Sequence, residues 1–535
     1  MRAGWKDPER AFEVTPVRAR RHPGLHVGVL LLGLLFLFPI GYLVWGTLSL
    51  GGDFWKALPR LDALTPLRNS LLIATGTALS CMVLGTTLAW LVTRTDLPGR
   101  RLWRVVLPLP LVIPSFVGAT ALLSALGPGG LVPFAPRIEG YWGAFLVLTL
   151  LGYPFVYLPV AARLSTTSPS LEEAARLLGD RPMRTVRKVV LPEIRDTVAA
   201  GGMLVFLYGL SDFGAVALMR YDTITRAIFS SRLFDRATSL TLGLLLAVLA
   251  LAVVIVERTA IPRRRVGPTM GKRQVRYRLG GVRALGLGLP ATVIGLALVA
   301  PISVFGLWVL RGSSTLGIGY SGIGDGMGFL VRPAVNSVTA SAAAGACAVL
   351  LTLPVAHAAA RGRSWISVAA ASCITSVFAL PGLVVALAVV FWAIQAPGPL
   401  AAVYQSFPLL VFGYVLHFGA QSLRASQAAF ADVPRRYEDA ARTLGVTAGR
   451  RFLSIDLPLV MPGLLTGGGL VLLSTLKELP ATLLLAPIGF ETLATRIWSA
   501  AEDGFFAEVG ISSLVLIMLS GILTWALVLR RELKL

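Results

Sequence analysis

Charge is scarce in this chain. Asp, Glu, Lys and Arg make up 14% of its 535 residues, against about 25% in a soluble globular domain, so an ordinary water-facing fold is excluded at the outset. Cysteine is scarcer still. Cys81, Cys347 and Cys373 all fall inside apolar runs, which leaves no disulfide framework or cysteine metal site and makes them small apolar filler. Four histidines, His22, His26, His357 and His417, stand apart from one another and supply no permanent metal centre. Neither an HExxH motif nor a nucleophile elbow is present. A phosphate-cradling loop needs G-x-x-x-x-G-K-[ST]. The nearest stretch, Gly267 to Arg273, has one residue too few between its glycines and Arg273 where a hydroxyl must reach magnesium. An enzyme reading has no residues to carry it.

What is abundant is apolar length. Hydrophobic residues are 55% of the chain, and twelve runs of bilayer-spanning size, about 20 residues each, start near residues 25, 69, 103, 141, 198, 238, 285, 336, 366, 401, 463 and 508. The first run is longer than the roughly 7 to 15 apolar residues of a signal peptide and is followed by more spans, so it reads as a retained span. The net charge of +22 follows the membrane as well. With the N-terminus inside, 37 of the 49 Lys and Arg fall on inside segments, 11 on outside ones, and Lys477 lies within a span. That asymmetry is the positive-inside rule. No basic stripe is interleaved with stacking aromatics, so nucleic acid is not an expected partner.

The two halves repeat at an offset of 266 to 267. Asn69-Ser70 recurs as Asn336-Ser337, Pro114 as Pro381, Pro192 as Pro458 and Val205 as Val471. Two six-span halves are expected, residues 1–256 and 285–535, joined by a basic linker at 257–284. Six spans per half place both N-termini on one side, so the repeats are parallel and enclose a path at their interface. An all-α membrane protein of about 12 transmembrane helices is the expected fold class.

Between spans 4 and 5 of each half lies a polar nonapeptide, LEEAARLLG at 171–179 and YEDAARTLG at 437–445. Ser170 and Glu173 fit a capping box, Gly179 supplies a left-handed helix stop, and Pro182 can begin a second, basic helix. Asp432 and Pro434 start the second copy and Gly445 ends it. Both copies keep an acid, two alanines, an arginine and a glycine: Glu173, Ala174, Ala175, Arg176, Gly179; then Asp439, Ala440, Ala441, Arg442, Gly445. Paired alanines let another backbone approach closely. A small-residue helix ringed by charge is suited to docking.

The spacing acid-Ala-Ala-x-x-x-Gly, completed by Val189 and Leu191-Pro192 in one half and Ile455 and Leu457-Pro458 in the other, resembles the signature loop of the inner-membrane permease subunits of binding-protein-dependent ABC importers. Asp439 departs from the family's usual Glu and Val189 from its usual Ile; neither changes the charge pattern. The resemblance covers nearly the whole chain and implies the type I importer fold, with coupling loops at 163–197 and 424–462. It also implies two copies of a cytosolic ABC ATPase docked on those loops, and a soluble or lipid-anchored substrate-binding protein. No cofactor is expected in this chain, ATP and magnesium belonging to the ATPases. The setting it implies is the bacterial inner membrane, with both termini cytosolic. An ATP-independent secondary transporter would fit twelve spans too, but leaves the doubled loops unexplained.

Fused two-half permeases of this length resemble the ferric-iron and thiamine members. The run STLKELPATLLLAPIGFETLATRIW, from Ser474 to Trp498, looks like the ferric-iron group. Ionisable side chains within spans are costly and face a cavity or a partner, so Asp212, Lys477 and Glu478 are candidates to line the translocation path. Carboxylates suit a hard cation. The alternative is that they make an ion pair or hydrogen bond that fixes a helix break before Pro480.

Overall fold

The computed structural model describes residues 23–51, 64–260, 276–314 and 328–526, except positions 128, 133, 135, 137, 167–169, 181, 362–363 and 435. His22, the Gly267–Arg273 stretch, the centre of the linker and most of the glycine-rich loop after Ser313 lie outside the described residues. The apolar run that opens the chain folds as α1 (Pro23–Leu48). The first half continues with α2 (Leu64–Arg94), α3 (Arg100–Val106), α4 (Ser115–Leu126), α5 (Gly140–Gly152), α6 (Pro154–Thr166) and α7 (Ser170–Leu177), then α8 (Leu191–Ser211), α9 (Gly214–Leu218), α10 (Ile224–Ser231) and α11 (Arg236–Ala260). The second half repeats that order. It comprises α12 (Arg283–Ile294) running on into α13 (Ala300–Ser314), α14 (Gly328–Arg361), α15 (Trp365–Val377), α16 (Gly382–Gln395) and α17 (Phe407–Asp432), then α18 (Arg436–Thr443), α19 (Leu457–Leu476), α20 (Pro480–Leu485), α21 (Leu493–Glu502) and α22 (Phe506–Thr524). Among the described residues the only β pairing outside named strands is a single bridge between Thr95 and Tyr277; the fold is all-α.

Eight helical segments are long and apolar enough to cross a membrane, or ten when each of two bent pairs counts as one span. At the other two of the twelve expected runs stand α8 and α17, 21 and 26 residues long. Both have the length to cross but carry more polar side chains.

The runs near 103 and 366, expected as single spans, are broken. The bends are 88° after Val112 and 102° after Val377. The cause is the same proline in each half. Pro114 and Pro381 sit in extended backbone at the entry of α4 and α16. A proline cannot donate the helical hydrogen bond, and it pushes the preceding residue out of the helical region; Ile113 is extended accordingly. A second device also recurs. Ahead of Pro192 and Pro458 the chain makes a π turn, Val186–Val190 and Phe452–Asp456, where a missing proline N–H loosens the ladder. A helix does begin at Pro182, as expected, and runs from Pro182–Thr185 through the π turn into α8.

Packing relies on small residues, as expected where lipid removes the hydrophobic drive between helices. A Cβ on Gly345 of α14 would lie 2.7 Å from the carbonyl oxygen of Gly468 on α19, so the two backbones touch. The first helix of each half crosses over. Gly33 of α1 lies against the Cα of Ala370 in the other half's α15, where a Cβ would come within 2.8 Å, and α13 packs on the first half's α4 as well as on its own α22. The halves are thus interlocked rather than apposed.

Candidate functional site

Two sets of residues were singled out by the sequence, and the structure builds each twice. The first is the loop between α6 and α8, and its counterpart between α17 and α19. Gly179 and Gly445 adopt φ of +87° and +70°, the left-handed stop that favours glycine. In both copies two wrapped-back amides close the turn: Leu178 and Asp180 donate to the carbonyls of Ala174 and Ala175, and Leu444 and Val446 to those of Ala440 and Ala441. The side chains of Ser170 and Arg176 lie outside the described residues.

Which faces point outward is the same in both copies. Glu173 and Ala174 are exposed, as are Asp439 and Ala440. So are Leu178 and Leu444, at 88% and 80%, which adds one apolar side chain to the outward face of each loop. Ala175 is half-buried and Ala441 buried, so only the first alanine of each pair is open to contact. Arg442 lies along the surface within ion-pair range of Glu438 and Asp439.

The residue that anchors each loop is one the sequence reading passed over. Glu172 is buried and meets the fully buried Arg94 at the end of α2, 2.9 Å away. Glu438 meets Arg361 at the end of α14, 2.8 Å away. Glu172 also accepts a hydrogen bond from the Tyr277 hydroxyl, whose backbone pairs with Arg94 and Asp96. Glu438 instead has Arg442 and Arg451 nearby. The signal was present: Glu precedes the acid-Ala-Ala run in both copies, and Arg94 and Arg361 share the 267 offset. The exposed acid of each copy belongs to the motif, and the buried one beside it ties the loop to a membrane helix.

The second set sits where α8 and α19 break. Asp212 is extended and its carboxylate accepts from the amides of Ala215 and Val216, capping α9. Glu478, at the 266 offset, accepts from the amide of Ala481 in α20. Thr225 donates to the carbonyl of Asp212 and Thr482 to that of Glu478. Lys477 reaches across the halves and donates to the carbonyl of Leu111, 3.0 Å away, just ahead of the Pro114 bend. The three candidates are thus brought to the two breaks, each held by a backbone group. His417 joins them. A Cβ on Gly382 would sit 2.6 Å from the Glu478 carboxylate and 3.2 Å from His417 Nε2, so glycine there is what lets the three approach. His357 packs its ring against Phe430 and Phe452 near the second loop. Among the described residues no group of three or more His, Cys, Asp or Glu could hold a metal ion.

The breaks face one another across the interface between halves. Gly214 packs against Phe116 and Leu479, and Phe213 stacks on Trp498 of α21 with ring centroids 5.3 Å apart. Each break is braced from α2 or α14. Asn69 donates to the carbonyl of Asp222 and Asn336 to that of Glu491, both at 2.9 Å, while Ser70 and Ser337 accept from the first amides of α10 and α21. The repeated Asn-Ser pair is a brace used identically in both halves.

Comparison with known proteins finds the same duplication. The profile of the family described as binding-protein-dependent transport system inner membrane component matches twice, at residues 82–266 and 348–532. Among similar proteins, the Fe(3+)-transport system permease protein FbpB 2 of Haemophilus influenzae is 28% identical over 504 residues, covering 92% of this chain and 96% of that protein. The sulfate transport system permease protein CysT of Salmonella typhimurium is 30% identical over 199 residues, 36% of this chain and 72% of that one. The molybdate/tungstate transport system permease protein WtpB of Pyrococcus abyssi is 28% identical over 203 residues, 37% of this chain and 79% of that one.

Proposed function

We propose that this chain, which belongs to the family of binding-protein-dependent transport system inner membrane components, is the complete translocation pore of an ATP-driven importer of ferric iron. One observation carries the substrate: similarity to an Fe(3+)-transport permease runs through both halves, over 92% of the chain. The hard-cation chemistry of Asp212 and Glu478 at the two breaks supports it. Their backbone hydrogen bonds hold the carboxylates at the interface between halves, where a path between parallel repeats runs. Lys477 anchors one break to the other half.

The exposed faces of α7 and α18 are the sockets for two cytosolic ATPases, one per loop. Motion of an ATPase is passed through Glu172 to Arg94 and α2, and through Glu438 to Arg361 and α14, so each half turns with its own ATPase. Both termini and both loops lie in the cytosol on this reading, which the Lys and Arg asymmetry supports. A substrate-loaded binding protein docks at the opposite face, near α10 and α21. The pore itself hydrolyses nothing.

Uptake of labelled ferric ion, thiamine, molybdate and sulfate, in cells with and without this gene and under limitation of each solute, tests the reading. Loss of iron uptake alone is expected. Loss of thiamine, molybdate or sulfate uptake with iron uptake intact would overturn the substrate and leave the importer pore standing.

A further inference from the structure

The sharpest departure from the two-fold repeat is a basic pocket in the first half. Where α2 ends, the returning linker residues Arg276–Leu279 run beside Arg94–Asp96: Tyr277 donates its amide to the carbonyl of Arg94, Asp96 donates its amide to the carbonyl of Tyr277, and Leu279 donates its amide to the Asp96 carboxylate. Between these segments and α3 is a pocket of about 400 Å³ lined by Asp96, Leu97, Gly99, Arg100, Arg101 and Arg276. Three of its lining residues are arginines, Arg101 and Arg276 exposed and Arg100 half-buried, and none of the three has an ion-pair or hydrogen-bond partner among the described residues. Asp96, the sole acid in the lining, already accepts from Leu279. Arg104 lies close enough to Arg100 to add its charge.

The positive-inside bias explains why basic residues collect at this end, not why three converge unpaired on one cavity. Like charges brought together without a counter-ion repel. Nor does the shared machinery require the arrangement. At the corresponding place the second half reads Arg-Gly-Arg-Ser-Trp-Ile, residues 361–366, where the first reads Arg-Thr-Asp-Leu-Pro-Gly-Arg-Arg, residues 94–101, and only the first half receives the linker. The surroundings are those of a lipid interface. Leu102 and Val105 on α3, and Val282 and Leu285 at the start of α12, are 49% to 76% exposed.

We propose that this pocket binds a phosphate-bearing anion, either the headgroup of an anionic phospholipid or a soluble phosphate. Guanidinium groups match phosphate oxygens bidentately, and basic pockets between membrane helices on the cytoplasmic side hold anionic headgroups. The exposed apolar residues beside the pocket give acyl chains a surface to follow. The bound phosphate neutralises Arg276 against Arg100 and Arg101, and so clamps the linker to the end of α2. That clamp sits next to Tyr277, which holds Glu172, so occupancy steadies the first coupling loop and leaves the second untouched.

The test uses the full chain in neutral phosphatidylcholine nanodiscs, titrated with fluorescent short-chain phosphatidylglycerol, with the same-chain phosphatidylcholine and inorganic phosphate as competitors. Phosphatidylglycerol is expected to bind on the order of a hundredfold more tightly than phosphatidylcholine. Arg100→Gln/Arg101→Gln/Arg276→Gln should abolish that difference. The charge-preserving Arg100→Lys/Arg101→Lys/Arg276→Lys, which guards against misfolding, should keep a preference for phosphatidylglycerol through its charge, reduced by the loss of bidentate contacts. Arg187→Gln/Lys188→Gln, on the exposed lead-in to α8, should retain the difference in full. Displacement by phosphate at low millimolar concentration identifies a soluble anion as the ligand, and its absence identifies the lipid. Equal binding of the two lipids with no effect of phosphate, or undiminished selectivity in the triple glutamine variant, overturns the proposal.

Discussion

Glu172 and Arg94 form a pair with almost no exposure to solvent, and among the described residues Arg94 has no other side-chain acceptor within hydrogen-bond geometry. Removing one member of a buried pair leaves the other charge stranded, at a cost of about 3–5 kcal/mol. Glu172→Gln should therefore release α7, read as lost hydrogen-exchange protection across Ser170–Leu177 and a lower melting temperature. Glu438→Gln should cost less. Arg361 keeps the Val433 carbonyl, Arg451 keeps Asp456 and Arg442 keeps Asp439, so no arginine there is left alone. Equal losses in the two variants would contradict the anchoring scheme. At the breaks, Asp212→Asn retains an oxygen for the amides of Ala215 and Val216, whereas Asp212→Ala forfeits the cap, worth about 1 kcal/mol. If the carboxylate serves the cation, Asp212→Asn should melt like the parent yet lose iron uptake. A variant that melts and transports like the parent would leave Asp212 a helix cap and nothing more.

At the scale of the element, one motif contains two alanines with different jobs. Ala440 of α18 is exposed and Ala441 is 3% exposed. Ala440→Trp should leave stability within about 0.5 kcal/mol, as surface changes do, while blocking the approach of an ATPase and abolishing ATP-driven uptake. Ala441→Leu should instead overpack its site and lower stability by about 1–3 kcal/mol. A melting shift of the same size for both would show that α18 is not oriented as described. The helices, the glycine stops and the doubling were legible in the sequence because each follows from a local rule: apolar length, left-handed backbone at Gly179 and Gly445, and recurrence at a fixed offset. The bends at Pro114 and Pro381 were half legible. The prolines stand out as a matching pair at the 267 offset, but within an apolar run their local effect is invisible to a window that counts hydrophobicity. Glu172 was not legible as an anchor, since which of two adjacent acids points inward depends on where α2 ends, a tertiary fact.

For the whole molecule, the interlocking of halves sets an expectation that neither half stands alone. α1 packs on α15 and α16 of the second half, and α13 on α4 of the first. The brace from each long helix to the helix after its break is matched: Ser70 and Ser337 each accept one buried amide at 2.9 and 2.8 Å. Ser70→Ala and Ser337→Ala should then destabilise to a similar degree, about 1–2 kcal/mol each, by thermal unfolding in detergent; a large disparity would mean the halves are loaded unequally. The linker introduces the asymmetry that the repeat lacks. It returns beside Arg94 and supplies Tyr277 to Glu172, so among the described residues the strap is on the first loop alone.

The claim at the centre of this account is that one chain presents two ATPase sockets. The mass of the purified complex in native mass spectrometry tests it most directly. One 56.8 kDa chain should carry two ATPase subunits, and Ala174→Trp or Ala440→Trp should each remove one of them. A complex with a single ATPase, or one whose composition is indifferent to both substitutions, would contradict it.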